Sequence, residues 1–359
     1  MRKYNFHAGP ATLPEALLLK AQAELLDWEG RGLSVVEISH RAQPFMELVE
    51  RSIEKLRHLL KVPNNYRIIY VAAPARAQYA MIPMNILGSK TSADYLETGY
   101  WSSLAQQEAE KYCDAQIACT SKPENFTTIP DPSTWQLNPN AAFCHYTTNE
   151  TIHGVQFHSV PEVGDVPLTA DMTSDFLSYP MDIKRFGIIF AGTQKNVAPA
   201  GMTIVIVRED LLGHELPITP SCWSYSKHVA ESSLLYTSVS FSCYMAELMF
   251  DWIKEQGGLS SIASHNKRRA KQVYSVIDSS NFYINKIDPR YRSMTNIPFQ
   301  LDDEVKTALF LQEAEQNDLI GLKGHRLVGG IRASLYNAQT DQAVSVLTEF
   351  MQDFAKRYG

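Results

Sequence analysis

Phe45, Val49, Ile53, Leu56 and Leu60 recur at steps of three and four, the apolar stripe of an amphipathic helix that closes before Pro63. The run Arg67 to Ala73 reads as a short buried strand bounded by Pro74, and helical spacing returns from Gln78 to Leu87. Further short apolar runs, Ala141 to Tyr146, Pro167 to Ala170, Gly187 to Phe190 and Thr203 to Val207, lie between polar or helical stretches. This alternation predicts an α/β fold with a mostly parallel sheet covered on both faces, and such sheets carry ligands at their strand ends. Past Gly257-Gly258 the pattern changes. It predicts a charged helix around Lys267 to Lys271, a strand near Met294 to Phe299, a helix from Asp303 to about Asn317 and a strand around Gly330 to Tyr336. A last helix shows Val344, Leu347, Met351 and Phe354 on one face. The expected organisation is a large domain over residues 1–258 and a smaller α+β domain over residues 259–359.

The length of 359 residues fits about two domains, each able to bury a core without disulfides or structural metal. The net charge of −6, without a block of like charges, argues against nonspecific nucleic-acid binding, so an anionic ligand must be met by local Arg and Lys. Met1 to Asn5 leads into a Gly-Pro turn without an apolar signal region, and no uncharged stretch approaches the roughly 18 residues of a membrane span. A cytoplasmic location is the expectation. Five cysteines without a CxxC point to reduced structural thiols rather than to disulfides or zinc. Nothing local lowers a thiol pKa, which disfavours a nucleophilic cysteine.

Lys195 sits just beyond a buried run, among small residues, in Phe190-Ala-Gly-Thr-Gln-Lys-Asn-Val-Ala-Pro-Ala-Gly201. A lysine in a desolvated pocket is a Schiff-base candidate, because burial disfavours the ammonium and frees the amine. A loop lysine taken at random is usually solvated, and a lone Asp at a strand end is usually a cap. Asp171, at the end of Val166 to Ala170, changes those odds. With Lys195 it supplies the two groups that pyridoxal phosphate requires, an amine for the Schiff base and a carboxylate for the ring nitrogen.

Several stretches in order resemble the phosphoserine aminotransferases, a family of fold-type I, class V pyridoxal-phosphate enzymes. They include Asn5 to Pro10, Ser34 to Arg41, Ile82 to Leu87, Thr98 to Ser102, Asn149-Glu-Thr-Ile-His-Gly154, Asp165 to Asp171, Gln194-Lys-Asn196, Val205 to Asp210 and Gly321 to Ala338. The resemblance implies transamination between O-phospho-L-serine and 2-oxoglutarate, and the family also handles 4-phosphohydroxy-L-threonine. It makes Lys195 the Schiff-base lysine and proton carrier, and Asp171 the partner of the ring nitrogen. Trp101 would stack on the pyridine, and Thr151 would bond the ring 3-oxygen. Gln194 and the backbone of Ala75-Arg76 would hold the cofactor phosphate. His40-Arg41 and His325-Arg326, one pair from a neighbouring subunit, would grip the substrate phosphate with help from Arg76. Arg332 would bind the α-carboxylate. A homodimer with shared active sites follows from the same resemblance, as does an N-terminal segment (residues 1–15) packed with the small domain.

Three departures cluster around the cofactor. The family's glycine-rich phosphate loop ending in Gln-Phe is replaced by Ala72-Ala-Pro-Ala-Arg-Ala-Gln-Tyr79. Glycine permits positive φ and close backbone approach, whereas Pro74 lacks an N–H and alanine disfavours left-handed geometry. Tyr236-Thr-Ser-Val-Ser-Phe241 leaves Thr237 and Ser238 where the family reaches the cofactor phosphate across a dimer interface, and Ala198 stands where glycine is usual. The alternative they open is a divergent paralogue with weakened cofactor binding, either non-catalytic or with a shifted substrate. Right-handed φ/ψ at Ala75 and Arg76 would preserve an amide cradle at a helix start.

Overall fold

The computed structural model describes residues 2–359. In chain order it forms β1 (Tyr4–Asn5), α1 (Glu15–Ala23), α2 (Gln43–Leu60), β2 (Tyr66–Val71), α3 (Gln78–Ile86), β3 (Ser92–Glu97), α4 (Tyr100–Ala109), β4 (Asp114–Thr120) and β5 (Cys144–Thr147). A small hairpin follows, β6 (Asn149–Glu150) and β7 (Val155–Gln156), then β8 (Leu168–Asp171), β9 (Ile188–Gly192), β10 (Thr203–Arg208), α5 (Tyr225–Ala230) and α6 (Ser240–Glu255). The remainder is α7 (Gly258–Asp278), β11 (Asn296–Phe299), α8 (Glu304–Gln316), β12 (Leu319–Ile320), β13 (Ile331–Ser334) and α9 (Asp341–Tyr358).

Helix α2 shows how the sequence sets these elements. Pro44 occupies the first turn, where its missing N–H costs nothing. Phe45, Leu48, Val49, Leu56 and Leu60 are buried along one face, and Lys61 in left-handed geometry (φ 52°) ends the helix. Beside that face the helix pairs with α6 through Arg51 to Glu247 at 2.9 Å and Lys55 to Asp251 at 2.7 Å. The seven-stranded sheet has the order β2-β10-β9-β8-β5-β3-β4. The β9-β8-β5-β3-β4 pairs are parallel, and β10 runs antiparallel to both of its neighbours. Apolar clusters fill both faces of this sheet, with Ile189, Ala191, Ile204 and Ile206 in one and Ile188, Phe190, Val205 and Val207 in the other.

A separate cluster joins α7, α8 and α9 to the β11–β13 pair. Val344, Leu347, Met351 and Phe354 are all completely buried in it, as the spacing along the last helix predicts. Phe6, from the other end of the chain, lies in the same cluster. Strand β1 pairs in parallel with β12 through Tyr4 to Leu319 and Asn5 to Ile320. Leu259 and Ile262 of α7 instead join the cluster on the large sheet.

Candidate active site

The site forms where the parallel strands end. Strand β8 ends at Asp171, and the chain leaving β9 at Gly192 closes a tight turn in which Val197 and Ala198 donate N–H to the Thr193 carbonyl (3.1 and 2.9 Å). Lys195 rides on that turn. Packing around it is close: a Cβ at Gly192 would lie 2.6 Å from Gln194 Oε1 and 3.0 Å from the Ala75 Cβ, so the alanine at 75 depends on the glycine opposite. Gly9 (φ +141°) brings the N-terminal segment against the Lys195 side chain.

Lys195 Nζ donates to Thr151 Oγ1 at 2.6 Å. Thr151 occupies the turn of the β6–β7 hairpin, which Gly154 closes at φ +75°, and its carbonyl accepts from Arg332 Nη1 at 3.2 Å. Asp171 accepts the Thr173 N–H at Oδ1 (2.9 Å) and the Tyr79 hydroxyl at Oδ2 (3.0 Å). Trp101 lies in the first turn of α4, whose amides are clamped by a carboxylate from the hairpin. Glu150 accepts from Trp101 N (3.0 Å), Ser102 N (2.8 Å) and Ser102 Oγ (2.7 Å). No side chain fits between helix and carboxylate, since a Cβ on Gly99 would lie 2.3 Å from Glu150 Cδ. Lys195, Asp171, Thr151, Trp101, Tyr79, Ala75, Arg76 and Gln194 line one cavity of about 180 Å³.

Burial sets the electrostatics. It lowers Lys195 to about 8; Asp171 and Glu150 oppose the fall and Arg332 adds to it, so far more of the amine is free near neutrality than in an ordinary lysine. Burial raises Glu150 to about 7 against the pull of its hydrogen bonds. Behind Asp171, the buried carboxyl of Asp175 is raised to about 6 by burial, and Thr148 links the two, its hydroxyl donating to Asp175 Oδ1 and its N–H to the Asp171 carbonyl (3.0 Å). The five cysteines are free, and burial pushes Cys119 and Cys243 up to about 12.

The altered loop keeps an anion cradle without glycine. Residues 75–77 form a 3₁₀ turn that runs into α3, Pro74 precedes it in extended geometry (φ −67°, ψ 151°), and no residue from 72 to 79 has positive φ. Ala77 N–H is the first of the turn to be taken, by the Pro74 carbonyl at 2.8 Å. The amides of Ala75 and Arg76 therefore stand at a helix start, where N–H groups lack intrahelical acceptors and favour a phosphate. Pro74 gives up no needed donor there, and the alanines carry no left-handed strain. The buried indole Nε1 of Trp101 has no partner among the described residues, as suits a wall that awaits a polar ligand. A Schiff-base amine, an opposed carboxylate, an aromatic wall and a phosphate cradle in one cavity fit pyridoxal phosphate.

Other expected residues stand apart within one chain. His325 is half-buried on the loop beside Tyr100, with ring centroids 6.1 Å apart, and Arg326 is exposed. His40 and Arg41 line a different groove of about 990 Å³ together with Arg57 and Arg67. Exposed Thr237 and half-buried Ser238 precede α6, and neither lines the Lys195 cavity. Two residues of the site were not singled out by sequence reasoning. Glu150 stood inside Asn149 to Gly154, where a buried acid is itself the signal, and Tyr79 stood at the end of the altered loop.

The class-V aminotransferase family model matches residues 3–347. The phosphoserine aminotransferase of Laribacter hongkongensis is 50% identical over 360 residues, covering 100% of both chains, and that of Pseudomonas putida is 46% identical over 358 residues, covering 100% of this chain and 99% of its own. The chain belongs to the phosphoserine aminotransferase family. The fold agrees. The solved phosphoserine aminotransferase from Bacillus circulans subsp. alkalophilus matches with a TM-score of 0.97 at 42% identity, covering 100% of this chain and 99% of its own. The pyridoxal-phosphate-bound enzyme from Trichomonas vaginalis matches at 0.95 and 39% identity, covering 98% of this chain and all of its own. The fold is thus that of the fold-type I transferases, and the family is one of pyridoxal-phosphate aminotransferases.

Proposed function

We propose that this protein transaminates O-phospho-L-serine with 2-oxoglutarate, giving 3-phosphooxypyruvate and L-glutamate in two half-reactions on pyridoxal phosphate. The observation that carries the reading is Lys195, buried with a lowered pKa and held by Thr151 in the cavity that Asp171 also lines. Pyridoxal phosphate supplies an electron sink that makes the substrate Cα–H acidic. Lys195 would take the Cα proton and pass it to C4′ on the same face, a task suited to an amine titrating near 8. Asp171 holds a proton at the ring nitrogen. Thr151 aims the Lys195 amine, Trp101 forms one wall, and Gln194 with the Ala75 and Arg76 amides anchors the cofactor phosphate. Arg332 takes the α-carboxylate and fixes the Cα–H direction.

His325-Arg326 and the His40-Arg41 pair of a second copy grip the substrate phosphate in a homodimer whose sites are shared, and Thr237 and Ser238 reach the cofactor phosphate from that copy. Within one chain none of His40, Arg41, Thr237 and Ser238 lines the Lys195 cavity, which supports this arrangement. The domains divide at residues 258/259, although the first turn of α7 still packs on the large one through Leu259 and Ile262; Tyr4 to Phe6 of the N-terminal segment sit on the small one, and the enzyme works in the cytoplasm. No helix of the described residues is long and apolar enough to cross a membrane. The non-catalytic alternative has no support in the site, because the altered loop keeps its amides and Lys195, Asp171 and Thr151 converge.

The test is a visible absorption spectrum of the protein with added pyridoxal phosphate, repeated after O-phospho-L-serine without a keto acid. A Schiff-base band that converts to the pyridoxamine form is the expected result. A band that ignores phosphoserine would refute the substrate, and the absence of any band would refute the cofactor site.

A further inference from the structure

Tyr79 is buried, and its ring is wedged edge-on against His145 and Phe190, with centroids 6.3 and 6.2 Å away. With both torsions fixed by those neighbours, the hydroxyl reaches Asp171 Oδ2 at 3.0 Å. A phenylalanine would fill the same space, so packing alone does not call for the oxygen. What the oxygen adds is a second donor to Asp171, beside the Thr173 N–H on Oδ1. Burial, and then the Asp171 charge, hold the phenol well above its ordinary range, so it stays a donor at working pH.

We propose that Tyr79 is a positioning residue of the transamination: its hydroxyl draws charge from Asp171 and fixes the Oδ2 direction, setting how firmly the cofactor ring nitrogen keeps its proton. The proposal rests on the assignment of Asp171 as the ring-nitrogen partner. A hydrogen bond donated to a carboxylate stabilises the anion and lowers its proton affinity. The shared proton then lies nearer the ring nitrogen, and the ring withdraws electrons more strongly from Cα. The charged groups facing Asp171 are Lys195, Glu150 and Asp175, and Arg76 faces Tyr79. None of them donates a hydrogen bond to Asp171, so the hydroxyl is the side-chain donor whose removal changes this carboxylate alone.

The experiment measures the ring-nitrogen resonance of ¹⁵N-labelled pyridoxal phosphate in four holoenzymes. These are wild type, Tyr79→Phe, Asp171→Asn, and a protein with 3-fluorotyrosine, a stronger donor, placed at position 79. Tyr79→Phe is expected to move the resonance toward neutral pyridine, and fluorotyrosine to move it toward pyridinium. The phosphoserine half-reaction of Tyr79→Phe is expected to slow by roughly three- to tenfold. Displacements of opposite sign are not produced by a merely structural role. If Asp171→Asn moves the resonance while both changes at position 79 leave it where it was, the role of Tyr79 is overturned. If Asp171→Asn also leaves it unmoved, the assignment of Asp171 falls, and the proposal with it.

Discussion

Replacing Glu150 by glutamine tests how the hairpin that carries Thr151 is locked to the helix that carries Trp101. The carboxyl is wholly buried and is raised from 4.5 to about 7 by burial. The folded protein therefore binds this proton more tightly than the unfolded chain does. The stability that this acid contributes is greatest below pH 4.5, falls as pH rises from 4.5 to about 7, and is level above that. The shift of about 2.5 units, at about 1.4 kcal/mol per unit, corresponds to roughly 3 kcal/mol lost by the wild type across the window. Glutamine does not ionise, but its Nε2 can only donate where an oxygen of the acid accepts from Trp101 N or from Ser102, so the variant should be less stable than the wild type near pH 4.5 by an amount that does not change with pH. The variant should lack the decline. With an unfolding entropy of about 2.1 cal/mol/K per residue over 359 residues, 3 kcal/mol corresponds to about 4 °C in Tm. Melting curves of both proteins, freed of cofactor, at pH 4.5 and pH 8 measure the difference. Parallel pH dependence of the two Tm values would show that Glu150 is not a buried acid holding its proton to near neutrality.

Gly99→Ala puts a Cβ 2.3 Å from Glu150 Cδ, and the forced shift should cost about 2 to 4 kcal/mol. Urea unfolding measures the loss, and the Trp101 fluorescence should change with it. Ala75→Gly should leave pyridoxal-phosphate affinity in a fluorescence titration within about threefold of wild type, because the amides already stand at a helix start. Binding tighter by tenfold or more would mean that the alanine strains the cradle.

Much of the site was legible because it lies at the ends of apolar runs. Asp171 closes Leu168–Asp171, and Lys195 follows Ile188–Gly192 at once. The apolar run Thr203–Arg208 is as legible as its neighbours, but its antiparallel direction is not, since periodicity carries no sign. Strands β3 and β4 escaped notice because β3 buries acids. Asp94 accepts from Asn138 N at 2.7 Å, and Glu97 accepts from Ser103 Oγ at 2.6 Å, so the usual apolar signal is diluted by acids that meet these donors only in the folded chain. Edge strand β4 leaves Ile117 exposed, which blurs its alternation. The Tyr79 and Glu150 contacts span 92 and 48 or 49 positions along the chain, and no local pattern encodes a pairing at that range. The altered loop carries no such pattern, because its geometry is decided by the helical turn that starts after Pro74.

The N-terminal segment has a consequence for biosynthesis. Phe6 and strand β1 find their partners in Leu319–Ile320 and the helices around them, which leave the ribosome roughly three hundred residues later. At about 5 to 20 residues per second, that delay is of the order of 15 to 60 s. Throughout it, the start of the chain carries an unpaired strand and an uncovered phenylalanine. The Ala11 N–H meets the Gln194 carbonyl (2.9 Å), the Ala8 carbonyl meets the Tyr336 hydroxyl (2.7 Å), and Gly9 lies against the Lys195 stem. The nascent chain therefore cannot assemble the lysine's surroundings domain by domain; the pocket closes only once residues 319–336 have been made and meet residues 4–11.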